Sequence, residues 1–342
     1  MATQRKTRSV NELFEGFGAT FRHYLYDRPR AYFEVIHRRV RNMPLTNFEL
    51  GCKFAERGQW MDAVFRFRLA LWLQPNFAQA WYNLGACYVR LGNRPRARYT
   101  LMKALALAPQ HSDAIYLLSG IDPNAVPAAS KPTRMSAATV THFFTMVAPR
   151  YEERERALGY NGPQLVYDAA KPLVKPAGAQ LLDVGCGSGL AARPWRANVA
   201  GITGIDLTPA MLDLARAAKA GDLLMYERLI ENDIITLPDE LLPAAGFDLA
   251  ICCNVSQFLG DLYPPLVRIK RLLRPGAVLA LTYEPMGTSA GFAVNPDSGR
   301  FGHHPDYVKR MALHVGFEPK RELKFSFYAD SSAALSIFAV KE

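Results

Sequence analysis

A pattern of small and apolar residues recurs after 34 positions in this 342-residue chain. Leu50, Gly51, Phe54, Ala63, Phe67, Ala70 and Pro75 are answered by Leu84, Gly85, Tyr88, Ala97, Leu101, Ala104 and Pro109. A period of this length is one helix pair used twice, stacked so that each copy covers the apolar face of the other. Small residues at 51, 63, 85 and 97 mark where helices approach closely, and the large ones fill the gaps beside them. Each proline ends the second helix of its pair, because it has no N–H to continue the ladder.

A third unit begins at Ser112 with Ile115 and Leu118 in register. Ser119 stands where the glycine would fall, and the pattern stops at Asp122-Pro123, so this unit is read as a capping helix. Two copies alone bury little. The preceding stretch, with Phe14, Phe17, Phe21, Tyr24, Tyr32 and Phe33, is therefore read as helical, with Pro29 dividing one helix from the next and residues 1–43 covering the other end. The second copy adds Trp81, giving Trp81-x-x-Leu84-Gly85-x-x-Tyr88. Period and positions together resemble the tetratricopeptide repeat. The resemblance implies an all-α arm over residues 44–121 that holds a protein or peptide in a concave groove. An arm used only for packing or self-association is the other reading.

Pro123, Pro127, Ala128, Ala129 and Pro132 make residues 122–134 a linker, and a second domain is expected over 135–342. It starts with two or three helices between Met135 and Lys171. Strands and helices then alternate: strands near 180–184, 201–206, 226–231, 247–253 and 276–283, helices near 189–197, 208–220, 262–273 and 305–315. A closing pair of strands falls near 320–328 and 332–340. Such alternation argues for an α/β fold, a parallel sheet covered on both faces and finished by an antiparallel hairpin.

Composition narrows the functional classes. No apolar run approaches the roughly 18–20 residues of a membrane span. The five cysteines, at 52, 87, 186, 252 and 253, form no C-x-x-C and have no clustered histidines. Neither a metal site nor a disulfide framework is expected, which fits a reducing, cytoplasmic compartment. The net charge of +10 is spread along the chain, with a modest concentration before residue 45 and no base-reading module. A solvated basic face explains it better than a nucleic-acid partner.

The chemistry concentrates in Leu181-Leu182-Asp183-Val184-Gly185-Cys186-Gly187-Ser188-Gly189. An apolar strand ends in an acid, and alternate glycines follow, which free the backbone for positive φ and a close ligand. The spacing is G-x-G-x-G, without the third glycine of the dinucleotide fingerprint. A second strand, Gly201–Asp206, ends in an acid 23 positions after Asp183, where it can face a ribose lying across the first turn. Thr208-Pro209 then supplies an N-cap and a first helical residue.

With Asn232-Asp233-Ile234, the Asp248-containing strand, Asn254, and Leu273-Arg274-Pro275-Gly276 following in order, residues 135–342 resemble the class I S-adenosylmethionine-dependent methyltransferases. Repeats followed by this domain, with Arg300-Phe-Gly-His303-His-Pro-Asp-Tyr307-Val near the end, are similar to the predicted methyltransferases that contain tetratricopeptide repeats. The resemblance implies a Rossmann-like sheet of seven strands, the last pair antiparallel, and S-adenosyl-L-methionine as cofactor. It would set Gly185, Gly187 and Gly189 against the methionine portion and Asp183 beneath it, acting through water or by holding the loop. Asp206 would take the ribose hydroxyls and Leu207 the adenine. Asp233 would accept from the adenine amino group, Ile234 would pack on the ring's other face, and the Asn254 carbonyl would meet the ammonium.

The activity so implied is methyl transfer to a small-molecule or protein acceptor. The alternative is a scaffold that binds the cofactor without turnover. If the acceptor must lose a proton, the resemblance offers His303 as base, with His304, His142 and Glu284 as further candidates. His303 as a surface or helix-capping residue is the competing reading. Tyr151 and Tyr160 are read either as a lid or as core.

Overall fold

The molecule, seen in a computed structural model, is described over residues 28–174, 178–296, 298–328 and 332–341, with side chains from Asn42 onward apart from Ala128. The aromatic positions before residue 42 therefore lie wholly or in their side chains outside the described residues. The chain forms two units, residues 1–109 and 110–342.

In the first unit α1 (Arg28–Glu56), α2 (Trp60–Leu73), α3 (Ala78–Arg90) and α4 (Arg94–Leu107) succeed one another. The repeat register is the packing register. Ala63, Phe67 and Ala70 are fully buried, and so are Ala97, Leu101 and Ala104, 34 positions on. A Cβ on Gly51 would lie 2.6 Å from the Phe67 ring, and one on Gly85 2.8 Å from the Leu101 side chain. Small-against-large pairing thus sets how closely each helix pair approaches. Helix α1 runs through Pro44, so the boundary expected at 43/44 falls inside a helix. A proline removes one N–H from the ladder. Here the turn beyond it remains helical and packs on α2, with the Phe48 and Phe67 rings 5.8 Å apart.

Helix α5 (Ser112–Ile121) continues the repeat in sequence but belongs to the second unit. Its Tyr116 hydroxyl donates to Gly299 O at 2.8 Å and its ring meets Phe301 edge-on at 5.3 Å. The structural division therefore falls at 109/110, before the proline-rich stretch. That stretch contains two short 3-10 turns, Pro123–Ala125 and Ala128–Ser130. Three helices follow: α6 (Ala137–Val147), α7 (Tyr151–Ala157) and α8 (Gly162–Ala170).

The sheet then builds through β1 (Gln180–Val184), β2 (Gly201–Asp206), α9 (Pro209–Ala217), β3 (Arg228–Glu231) and β4 (Phe247–Cys252). It continues with α10 (Tyr263–Leu272), β5 (Leu273–Pro285), β6 (Phe292–Val294), β7 (Phe301–His303), α11 (Pro305–Val315), β8 (Phe317–Phe325) and β9 (Ala333–Val340). Strand order is β8-β9-β5-β4-β1-β2-β3, with β9 antiparallel to both its neighbours and the other pairs parallel. This is the Rossmann-like seven-strand arrangement expected from the sequence. A small addition, β6 antiparallel to β7, extends the end of β5, where Glu284 pairs with Gly302. Successive residues face opposite sides: Leu182 packs with Leu266 and Ile269 of α10, while Leu181 packs with Val166 of α8 and Leu212 of α9. Both faces are covered, as a parallel sheet requires.

The helix expected at 189–197 does not form; only a 3-10 turn, Arg193–Trp195, stands there. Pro194 has no N–H to give the Leu190 carbonyl, and in so short a stretch the lost bond weighs against a helix. Trp195 instead buries itself edge-on to Tyr167, with ring centroids 4.9 Å apart. Among the described residues, no helix is long and apolar enough to cross a membrane.

Candidate functional site

Strand order reverses at β1, with β2 on one side and β4 on the other. Open α/β sheets bind ligands at the carboxyl ends of strands beside such a reversal. A cavity of about 510 Å³ lies there. Its floor is the glycine turn. Gly185, Gly187 and Gly189 have φ of +69°, +53° and +92°, a region that other residues enter only at a cost. The amides of Gly185 and Cys186 both donate to Ile205 O, at 2.8 and 3.0 Å, which ties the turn to the end of β2.

Asp206 stands at that strand end and lines the cavity. Its Oδ2 accepts from Gly187 N at 2.9 Å and its Oδ1 from Thr208 N at 2.8 Å. Two lone pairs are thereby used to orient the group, and a carboxylate has about two more to offer. Burial pushes the Asp206 pKa up, while the Thr208 and Gly187 amides act to hold it down. Leu207, Met211, Asp233 and Ile234 continue the same wall. Asp233 is an ion-pair partner: Arg134 Nη2 lies 2.5 Å from its Oδ2, and Ile235 N donates to its Oδ1 at 2.9 Å.

Arg134 comes from the end of the stretch read as a linker. That end is docked, because Gly260 N and Asp261 N donate to Thr133 O at 2.8 and 2.9 Å, and Met135 N donates to Phe258 O at 2.9 Å. On the opposite wall Asn254 holds φ at +62°, and its amide donates to Thr282 Oγ1 at 2.7 Å. Its carbonyl accepts from Gln257 Nε2 at 2.9 Å. Gln257 Oε1 in turn accepts from Arg300 Nη1 at 2.7 Å. Phe144, Tyr151, Tyr160 and Tyr328 enclose the remaining side, with the Tyr160 and Tyr328 rings stacked 5.5 Å apart. The Tyr328 hydroxyl donates to Glu155 Oε2 at 2.6 Å.

Of the residues singled out from sequence, Gly185, Gly187, Asp206, Leu207, Asp233, Ile234 and Asn254 meet in this cavity, as do Tyr151 and Tyr160. Gly189 and Asp183 lie behind the lining. A Cβ on Gly189 would approach the Tyr226 ring at 3.1 Å, and the Tyr226 hydroxyl donates to Asp183 Oδ2 at 2.7 Å. Asp183 therefore holds the loop through Tyr226. Arg134, Gln257, Arg300 and Tyr328 were missed because they lie far from the glycine turn in sequence. Arg300 alone carried a signal, as the first residue of the stretch around His303.

His303 does not reach the cavity, which corrects its assignment as a base. It is fully buried on β7, with Nε2 2.8 Å from Leu259 O and 3.1 Å from Gly260 O. Nε2 carries the proton and donates to both carbonyls, so the ring braces the 259–260 turn. Burial lowers its pKa from 6.5 to about 4 against those carbonyl bonds, keeping it neutral. Glu284 is engaged with Asn295 and Ser298, and His304 caps α11 through Asp306 N. Neither they nor His142 are among the lining residues.

Asp183 and His303 make opposite contributions to pH dependence. Burial raises the Asp183 pKa from 3.8 to about 7, with the Tyr226 hydroxyl opposing. Between those values the folded chain holds a proton the unfolded chain releases, so this contribution is lost as pH rises. His303 works the other way between 4 and 6.5: the unfolded chain binds the proton, and stability is lost as pH falls. Each shift corresponds to about 3–4 kcal/mol. Asp183→Asn removes the first contribution. Urea unfolding at pH 4 to 7 should show the stability of wild type relative to the variant falling by about 4 kcal/mol as pH rises. A constant difference would mean Asp183 titrates normally.

The comparisons with known proteins bear on this geometry. The methyltransferase-domain family model matches residues 182–281, and a tetratricopeptide-repeat model matches residues 78–111. Malonyl-[acyl-carrier protein] O-methyltransferase of Serratia marcescens is 38% identical over 102 residues, covering 30% of this chain and 37% of that protein. The chain thus spans little more than a third of the length of such relatives. Ubiquinone biosynthesis O-methyltransferase of Xanthomonas axonopodis pv. citri is 30% identical over 172 residues, 45% of this chain and 70% of that protein. The chain belongs to the S-adenosylmethionine-dependent methyltransferases. Among solved structures, the [4+2]-cyclase SpnF aligns over 61% of this methyltransferase-family chain and 98% of its own, with a TM-score of 0.50 and 18% identity. That likeness speaks for the fold alone, and a cyclase on it shows why this family member's chemistry has to be argued from its site.

Proposed function

We propose that this chain transfers the methyl group of S-adenosyl-L-methionine to a small-molecule or protein acceptor, and that its repeat arm holds a protein partner. The observation that carries the reading is Asp206, fixed by two backbone amides at the floor of the cavity beside the strand-order reversal. Its remaining lone pairs suit a vicinal diol. Leu207, Met211 and Ile234 offer the apolar surface an adenine ring needs. At Gly187 a Cβ would meet only Met211 Cε, at 3.3 Å, so the turn's backbone is open to a ligand lying across it. The Asn254 carbonyl, with one lone pair given to Gln257, has another for an ammonium group. The residues present fit this donor.

When bound, the donor supplies a methyl group already activated on a sulfonium centre, so the protein's part is alignment and exclusion of water. Asp206 and Asp233 would hold the nucleoside end, Asp233 being fixed by Arg134 and keeping lone pairs that could accept from an exocyclic amine. The aromatic wall of Phe144, Tyr151, Tyr160 and Tyr328 keeps the reacting end dry. Calorimetry with S-adenosylmethionine and S-adenosylhomocysteine should give micromolar binding to wild type, and no binding would remove the reading.

The arm is tested separately. A cut at 125 would remove Tyr116 and its hydrogen bond to Gly299, so the informative truncation removes residues 1–109. It should leave S-adenosylhomocysteine affinity within about threefold, a change of under 1 kcal/mol, and lower methylation of the acceptor. Equal methylation with and without the arm would exclude a role in acceptor choice.

A further inference from the structure

We propose that the acceptor is a carboxylate and that Arg300 is the residue that seats it. The inference rests on the methyl-transfer reading above and goes beyond it to the chemistry of the second substrate.

Three cations line the cavity: Arg134, Arg154 and Arg300. Arg134 is neutralised by Asp233. Arg300 has no carboxylate partner among the described residues; its Nη1 donates to a neutral amide oxygen, Gln257 Oε1. Gln257 also donates to the Asn254 carbonyl, so two hydrogen bonds place the Arg300 guanidinium beside the end of the cavity assigned to the donor's methionine portion. The loop that carries Arg300 is held from behind. Tyr116 donates to Gly299 O, Asn295 N donates to Arg300 O at 2.7 Å, and the neighbouring Phe301 is buried. A fixed guanidinium that, among the described residues, gives a side-chain N–H to an amide oxygen and to no carboxylate matches, in a partly apolar cavity, the planar, two-oxygen geometry of a carboxylate. Arg154, on α7, is a second cation in the cavity, available to the amino-acid carboxylate of the donor itself.

The protonation chemistry of the lining points the same way. Burial pushes the hydroxyls of Tyr151, Tyr160 and Tyr328 well above their ordinary value, and the Cys253 thiol up to about 12. Asp206, Asp233 and Glu155 are each engaged by a donor, and no histidine is among the lining residues. An amine or phenol would have to shed a proton here. A carboxylate would not: its oxygen lone pair forms the new O–C bond, the pair of the breaking S–C bond stays on sulfur, and the products are a neutral methyl ester and a thioether. No proton leaves either partner.

The test uses the full-length protein, tritiated S-adenosylmethionine, and the small-molecule and protein fractions of a cell extract as acceptor source. The label should leave the product as volatile methanol in mild alkali, as a methyl ester does. Arg300→Gln should lower the rate at limiting acceptor at least tenfold, leave the dissociation constant of S-adenosylhomocysteine within threefold, and be partly rescued by Arg300→Lys. An alkali-stable product overturns the proposal, as does absence of transfer by a protein that binds S-adenosylhomocysteine. A tenfold loss of S-adenosylhomocysteine affinity in Arg300→Gln does so too, because Arg300 then serves the donor's own carboxylate. Failure of wild type to bind S-adenosylhomocysteine is a separate result that removes the methyl-transfer reading, and this proposal with it.

Discussion

Asp206→Ala is expected to weaken S-adenosylhomocysteine binding by about a hundred- to ten-thousandfold. A hydrogen bond to a charged acceptor contributes about 1.5–3 kcal/mol, two are removed, and each 1.4 kcal/mol is about tenfold. The same substitution leaves the Gly187 and Thr208 amides without their partner, so unfolding should also become easier by about 1–3 kcal/mol. Calorimetry and urea unfolding on one preparation separate the two effects. Asp206→Asn keeps an acceptor oxygen and should lose less affinity than alanine. If alanine at 206 binds as wild type does, the ribose is held elsewhere.

The second large effect is expected on stability, at Gly185→Ala. The backbone there sits at φ +69°, and a Cβ would lie 2.3 Å from Val255 Cγ2. A left-handed alanine costs about 1–2 kcal/mol. Overpacking adds about 1–3 kcal/mol, for a loss of about 2–5 kcal/mol in urea unfolding. Val255→Ala opens the space without changing the backbone, so the double variant should recover the steric part and keep the conformational part. A coupling energy near zero in that double-mutant cycle would mean the two loops are not in register as described. Both predictions concern one floor: the glycine turn is held on one side by Asp206 and packed on the other by Val255.

Much of this was legible in the sequence, and the legible part has a common character. The repeat's small and large residues, Gly51 with Phe67 and Gly85 with Leu101, could be paired from spacing because neighbouring helices meet at fixed offsets. The strand ends carrying Asp206 and Asn254, and the turn holding Asp233, were found because motif and strand lie within a few residues of each other. The sequence misled where the decisive contact was distant. Ser112–Ile121 keeps the repeat's register, yet Tyr116 binds a loop 183 positions away and joins the second unit. His303 stood in the right stretch and was given the wrong role, because whether a histidine faces a cavity or the core depends on its neighbours across the sheet.

What the sequence determined by itself, then, is the set of local geometries: helix pairs from the 34-residue period, a glycine turn from three residues free to take positive φ, and a parallel sheet closed by an antiparallel hairpin from the α/β alternation. Tertiary structure alone decided which charges survive in the site. Arg134 is cancelled by Asp233, 99 positions away, while among the described residues the Arg300 guanidinium donates to the neutral Gln257 amide, 43 positions away. The physical reason is that backbone preference acts over a few residues and shows in spacing. The electrostatic state of a buried side chain is set by whatever the fold brings within about 4 Å of it, and sequence distance carries no trace of that.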